Sequence, residues 1–323
     1  MNISSPAITE LSTFAVDVED GLSRYPKQIS SKYFYDEQGD LLFQEIMAMP
    51  EYYLTNCEYE IFSTQKEEIL DALGTQAFDL IELGAGDGTK TKVLLEHFLK
   101  AGADFTYRPI DISPYVLKTL EDNCATDLPT LDIQPVAGDY LKALHQIQSE
   151  YSDRRKVILF LGGNIGNFPL QKAQNFIQNL AQCINSGDML LTGFDLKKDP
   201  ALILDAYNDA TGITAAFNLN LLSRINRELG GEFDLDTFIH WESYNPLSGE
   251  ARSYIVSKVA QTVNIDQLQL SVHFDAWEPI AVEVSAKYNQ RDIAELAQRT
   301  GFSVKEHFTD SRAYFVDSLW ELS

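Results

Sequence analysis

The sequence predicts an α/β protein: a doubly wound, largely parallel sheet joined to a second domain of helices and antiparallel strands. Three observations carry this. Phe78 to Thr91 reads as a short apolar strand (Leu80, Ile81, Leu83), a loop with Gly84, Gly86 and Gly88, and a helix through Val93, Leu94, Leu95, Phe98 and Leu99. Strand and helix patterns then alternate with short loops as far as Phe194. From Pro200 the rhythm breaks into helices followed by alternating, strand-like runs.

Before the glycine loop, Met1 to Lys32 is polar and irregular, with room for one amphipathic helix over Ala7 to Leu22. Leu42, Phe43 and Ile46 suit a helix closed by Pro50, and Glu58 to Leu70 suits another. Tyr33, Phe34, Tyr35, Tyr52 and Tyr53 crowd the segments between. Such a cluster is either core or, in loops just ahead of a ligand-binding strand, the wall of a pocket.

After the loop, Phe105 to Ile112 is a strand ending at Asp111, because Ser113 can N-cap and Pro114 can open the next helix. Leu131 to Tyr140 reads as the third strand and its turn, and Lys156 to Leu161 as the fourth, ending in Gly162-Gly163-Asn164-Ile165-Gly166-Asn167. Gln171 to Ile184 is an amphipathic helix and Met189 to Phe194 the fifth strand. Pro200 to Leu229 is helical in pattern, stopped by Gly230-Gly231. Phe238 to Glu242, Ala251 to Val259, Val263 to Val272 and Ile280 to Tyr288 alternate as antiparallel strands do. A helix over Arg291 to Thr300 and two strands, Gly301 to Phe308 and Tyr314 to Trp320, finish the chain.

The 323 residues, 45% of them hydrophobic, suffice for two packed cores. No apolar run approaches the ~20 residues that span a bilayer, and Met1 to Tyr25 has neither a basic start nor an apolar centre, so a cytoplasmic protein without a membrane partner is expected. The three cysteines and five histidines are scattered without ligand spacing, so neither a disulfide framework nor a metal is expected. A net charge of −23 repels polyanions and disfavours nucleic acid as a partner. A monomer acting on a small molecule is expected.

The chemistry gathers at the strand ends. Alternate glycines allow positive φ and let backbone approach a ligand at the N-terminus of a helix. The nicotinamide fingerprint Gly-x-Gly-x-x-Gly fails, because Thr89 occupies its third position. What is present, Glu82-x-Gly84-x-Gly86-x-Gly88, resembles motif I of class I S-adenosylmethionine-dependent methyltransferases, whose core is a Rossmann-like doubly wound sheet. Asp111, a strand-end carboxylate about twenty residues on, can accept both hydroxyls of a ribose, or is a solvent-facing acid. Asp139 with Tyr140 resembles the adenine contacts of the same class; a Gly-Asp pair is otherwise only a turn. Beyond the fourth strand, near the switch point, the acceptor should meet the methyl group, where Gly162 lets backbone come close and Asn167 can offer its amide N–H to a carboxylate. Glu283 and Ser285 share one face of their strand, which an exposed polar face also explains.

Taken together, the chain resembles the histidine Nα-methyltransferase family of ergothioneine biosynthesis, which makes trimethylhistidine (hercynine). The residues that carry this are Tyr33-Phe34-Tyr35-Asp36, Leu42-Phe43, Met49-Pro50-Glu51-Tyr52-Tyr53-Leu54-Thr55, Phe160 through Asn167, Phe217-Asn218, Ile225-Asn226-Arg227-Glu228-Leu229 and Glu283-Val284-Ser285. The resemblance implies a methyl-donor domain over 60–196 plus 287–323 and an α+β substrate-binding domain over 10–59 plus 197–286. It implies that Gly84, Gly86, Lys90, Asp111, Asp139 and Tyr140 hold S-adenosyl-L-methionine. For the substrate, L-histidine, it implies that Asn167 and Tyr207 bind the carboxylate, with Gly162 in the same acceptor loop. Tyr35 and Tyr52 line the pocket and take the catalytic positions, and Glu283 with Ser285 bonds the imidazole. Some members carry a methionine beside the imidazole, where Tyr254 stands here. A tryptophan-type acceptor and a donor-binding protein without catalysis are the rival readings.

Overall fold

In a computed structural model of the chain, residues 12–86, 88–150 and 154–323 are described. The predicted helix over Ala7 to Leu22 lies partly outside them; its described part begins at Thr13 and runs to Ser23, with the Ser12 hydroxyl accepting from the Ala15 N–H at 3.2 Å. By Cα packing the chain divides into two compact units. The first comprises the described part of Met1–Tyr52 with Pro200–Asn245 and Ala251–Val284; the second comprises Tyr53–Asp199, Pro246–Glu250 and Ser285–Ser323.

The second unit holds a seven-stranded sheet. Across it the order is Val136–Ala137, Phe105–Asp111, Phe78–Leu83, Arg155–Phe160, Met189–Asp195, Phe315–Leu322, Phe302–Thr309. The first five strands pair in parallel, and Phe315–Leu322 runs antiparallel to both its neighbours. Phe78–Leu83 is buried along its whole length, as a central parallel strand covered on both faces must be. The chain order reverses between Phe78–Leu83 and Arg155–Phe160, and a ligand-binding crevice is expected at the carboxyl ends there. Ile81, Phe160, Ile177, Phe194 and Trp320 belong to this unit's core.

Two details differ from the sequence reading here. The third strand is reduced to Val136–Ala137 plus an isolated bridge from Ile133 to Tyr107, because Pro135 has no N–H to offer a ladder. A helix over Tyr140–Glu150, capped by Asp139, was not legible as such.

The first unit has its own core, in which Phe34, Ile46, Phe217, Leu221, Ile225, Ile255, Phe274 and Val282 meet. A four-stranded sheet orders Lys27–Gln28, Pro279–Ala286, Glu250–Ser257 and Phe238–Asn245. Val263 to Val272 is not one strand. It is a hairpin of Gln261–Ile265 and Leu270–Phe274, turned at Asp266–Leu268 with Gln269 at φ 48°. The long helical stretch is likewise two helices, Pro200–Tyr207 and Ile213–Leu229. Asp209 makes the break: its carboxylate accepts the Ile213 and Thr214 N–H groups at 2.9 and 2.8 Å, N-terminal donors that a continuous helix would have paired. Burial opposes its charge, but the Thr211 hydroxyl and these amides hold its pKa well below the ordinary carboxylate range.

Candidate active site

In the second unit the loop after Phe78–Leu83 carries Gly84, Gly86 and Gly88 at φ of 74°, 54° and 68°, a region that costs other residues about 1–2 kcal/mol. At Gly84 a Cβ would also lie 2.6 Å from the Tyr140 hydroxyl, so any other residue must push that phenol aside. At Gly86 a Cβ would meet nothing within 4 Å, so the backbone borders open space. Underneath, Glu82 is buried and takes hydrogen bonds from the Thr91 hydroxyl at 2.5 Å and from the Tyr107 hydroxyl. Burial outweighs these bonds and pushes its carboxyl up to about 7.

Asp111 stands at the end of the neighbouring strand. Its Oδ1 accepts the Ser113 N–H at 2.9 Å, and no partner for Oδ2 occurs among the described residues. Tyr140 sits between this acid and the glycine loop, its hydroxyl raised to about 12 by burial first and by Asp111 and Asp139 second. Asp139 is exposed and caps the helix that Tyr140 begins. The carboxylate, the phenol and the glycine loop therefore converge, with open space at Gly86.

The loop after Arg155–Phe160 lies alongside. Gly162 and Gly163 are at φ 73° and 72°, and a Cβ on Gly162 would be 3.7 Å from both Asn164 Nδ2 and Lys90 Nζ. Asn167, exposed, ends the short helix Asn164–Asn167. A Cβ on Gly166 would be 2.9 Å from the Ala286 carbonyl and 3.6 Å from Ser285 Oγ, which brings this loop to Ser285. Ser285 accepts from Lys287 Nζ at 2.8 Å, and Lys287 also pairs with Asp195 at 2.8 Å. Tyr53 donates to that same Asp195 at 2.9 Å, and Lys198 pairs with it. Burial works against the Asp195 charge, but Lys287 and Lys198 together hold its pKa below the ordinary value.

In the first unit Tyr35, Tyr52 and Tyr207 fall on one aromatic chain. Tyr35 meets Phe43 at 5.4 Å and Phe217 at 5.6 Å between centroids, Phe43 meets Tyr52 at 6.3 Å, and Tyr52 meets Tyr207 at 6.2 Å. Local chemistry fixes this wall. Asp36 accepts the Gly39 N–H at 2.8 Å to start the helix Glu37–Ala48, accepts from Asn220 Nδ2 at 2.8 Å, and pairs with Arg227. Arg224 donates to the Tyr33 carbonyl at 3.1 Å. Phe34 is wholly buried, as the core reading of the cluster expects, while Tyr35 is 41% exposed.

Glu283 lies with two residues that sequence reasoning missed. The Ser253 hydroxyl stands 2.7 Å from Glu242 Oε2 and 3.4 Å from Glu283 Oε2, and Glu242 is buried. His240, on the strand of Glu242, contacts the Tyr207 carbonyl through Nε2 at 2.9 Å, and burial lowers its pKa. His240 and Glu242, two positions apart and so on one face of Phe238–Asn245, were the available signal. Tyr254 belongs elsewhere: with Trp241, Val256, Trp277 and Pro279 it lines a groove, while its neighbour Ser253 is the residue that reaches Glu283.

A Rossmann-like sheet of this order, with a glycine loop and a strand-end acid at the switch point, is the fold of the class I S-adenosylmethionine-dependent methyltransferases. The profile of the histidine-specific, SAM-dependent methyltransferases matches residues 14–322. The chain belongs to that family. It is 37% identical to a histidine N-alpha-methyltransferase of Mycolicibacterium smegmatis, over 94% of this chain and 93% of that protein. It is 29% identical to ergothioneine biosynthesis protein 1 of Schizosaccharomyces pombe, over 92% of this chain but 39% of that longer protein. An L-tryptophan methyltransferase of Psilocybe serbica is 26% identical over 92% of this chain and 89% of its own. Among the described residues no helix is long and apolar enough to cross a membrane.

Proposed function

We propose that the protein transfers methyl groups from S-adenosyl-L-methionine to the α-amino group of L-histidine, three times over, to give hercynine for ergothioneine synthesis. The observation that supports this most is the 37% identity, along nearly the whole chain, with the mycobacterial histidine enzyme.

Gly84, Gly86 and Lys90 take the amino-acid part of the donor, Asp111 the ribose, and Asp139 with Tyr140 the adenine. Asn167 and Tyr207 bind the histidine carboxylate, with Gly162 giving the acceptor backbone room. Tyr35 and Tyr52 wall the amino group, and Glu283 and Ser285 read the imidazole. When bound, S-adenosylmethionine supplies an electrophilic methyl group. What the chain has to do is present a neutral amine in line with it. An α-amino group of pKa ~8 is mostly protonated at neutral pH, so a proton leaves before each transfer; Tyr35 and Tyr52 guide it to water. Their ring faces favour the growing alkylammonium by about 0.5–2 kcal/mol. The protein acts as a monomer in the cytoplasm, its acidic surface keeping polyanions away.

The test is incubation with S-adenosylmethionine and each of the twenty amino acids, read by mass spectrometry. Trimethylated histidine is expected. Methylation of tryptophan instead would keep the donor site and overturn the acceptor assignment, and no product from any amino acid would leave a donor-binding protein.

A further inference from the structure

Glu58 lies on the helix Tyr53–Leu73, outside every motif assigned above, with its side chain fully buried. One of its oxygens, Oε1, accepts the Gly162 N–H at 2.6 Å; the other, Oε2, pairs with Lys90. Gly193 packs beneath it, where a Cβ would be 2.7 Å from Oε1, so the carboxylate is held in a slot that only glycine leaves open. Resting on the donor role proposed for Lys90 and the acceptor role proposed for Gly162, the geometry points to Glu58 as a positioning residue that sets the donor-binding lysine and the acceptor loop from a single carboxylate, so that occupancy of one site strengthens the other.

The surroundings fit that task. Burial works against the Lys90 ammonium, yet Glu58 holds its pKa above the ordinary lysine value. Asp317, fully buried nearby, has its pKa pushed well up by burial first and by the Glu58 charge second. Glu58 thus gives one oxygen to the Gly162 N–H and the other to the Lys90 ammonium. A ligand that fixes the Gly162 loop fixes Glu58, and through it Lys90; a ligand on Lys90 acts in the reverse direction, as linkage requires.

The experiment measures histidine affinity by calorimetry with and without S-adenosylhomocysteine, in wild type, Glu58→Gln, Lys90→Met and the double variant. Glu58→Gln keeps an oxygen for the Gly162 N–H and loses the pairing with Lys90. Wild type should bind histidine at least 5-fold more tightly when the nucleoside is present. That factor should fall below 2 in Glu58→Gln, and adding Lys90→Met should change it no further. Should Glu58→Gln not fold, Glu58→Asp, which keeps the charge but is one methylene too short to span both partners, is read in the same way. An unchanged coupling factor in a folded Glu58 variant overturns the inference. Normal nucleoside affinity in Lys90→Met would instead overturn the donor role of Lys90. A general packing defect would lower the melting temperature without abolishing the coupling, and that outcome also counts against Glu58.

Discussion

Between Leu83 and Thr91 the second unit shapes a cradle from backbone, with glycines at positive φ and a phenol packed where a side chain would have been. Around Tyr35, Phe43, Tyr52, Tyr207 and Phe217 the first unit makes a wall from side chains drawn from separate segments. The backbone cradle depends on local dihedrals and tolerates little change at one position. The wall depends on long-range placement, and under the proposed function acceptor choice would rest on Glu283, which the Ser253 hydroxyl reaches together with Glu242. Donor binding and acceptor choice should therefore break separately.

The largest effect should come from Glu283→Ala. Losing a hydrogen bond to a charged group costs about 1.5–3 kcal/mol, so kcat/KM for histidine should fall by roughly 10- to 150-fold. Affinity for S-adenosylhomocysteine should stay within about 2-fold, measured by calorimetry. Equal loss of both would show that the two regions are not separable in this way.

Next comes the pH dependence of stability. The Glu82 carboxyl rises from 4.5 to about 7 on folding, so the folded state holds its proton more tightly than the unfolded chain. The resulting stabilisation is full below about pH 4.5 and is lost as pH rises to 7; at 1.36 kcal/mol per unit it is about 3 kcal/mol. Glu82→Gln, neutral throughout, lacks that slope. Its melting temperature relative to wild type should climb between pH 5 and 8. A constant difference would mean that Glu82 is ionised throughout in the folded protein. Either result tells how far the cradle rests on a buried neutral acid.

Gly84→Ala should be smaller. The left-handed backbone costs about 1–2 kcal/mol and the new methyl must displace Tyr140, so nucleoside affinity should drop about 5- to 30-fold. At saturating donor, the KM for histidine should barely move. A matching rise in histidine KM would tie the two regions more closely than their construction suggests.

The same contrast explains what could be read from the sequence. Glycines at alternate positions and a strand-end acid are local signals, so the glycine loop, the strand ending at Asp111 and the parallel strands were legible residue by residue. Pro135 hid the weakness of the third strand, because a short apolar run looks like a strand whether or not its ladder can form. Asp209 and Gln269 broke a predicted helix and a predicted strand through capping and a left-handed turn, chemistry that periodicity does not register. The cluster at Glu283 was half legible. Its alternation showed on its own strand, but Ser253 and Glu242 join it only through strand pairing, and Glu58 joins Lys90 to Gly162 from a helix whose apolar pattern gives no hint of a buried charge.

The smallest effect is expected at Tyr254, and it is the most informative about the first unit. Strand alternation sends neighbouring side chains to opposite faces, and Ser253 is the one within reach of Glu283 and Glu242. Tyr254 instead meets Trp241 and Trp277 in its groove. Tyr254→Met should change kcat/KM for histidine by less than about 2-fold, since a large surface-facing residue away from a polar network shifts energies by about 0.5 kcal/mol or less. Ser253→Ala removes the hydroxyl between two carboxylates and should raise the histidine KM several-fold, with kcat at saturation much less affected. If Tyr254→Met moved acceptor preference and Ser253→Ala did not, imidazole recognition would have to be reassigned from the Glu283 face of the sheet to the tryptophan-lined one.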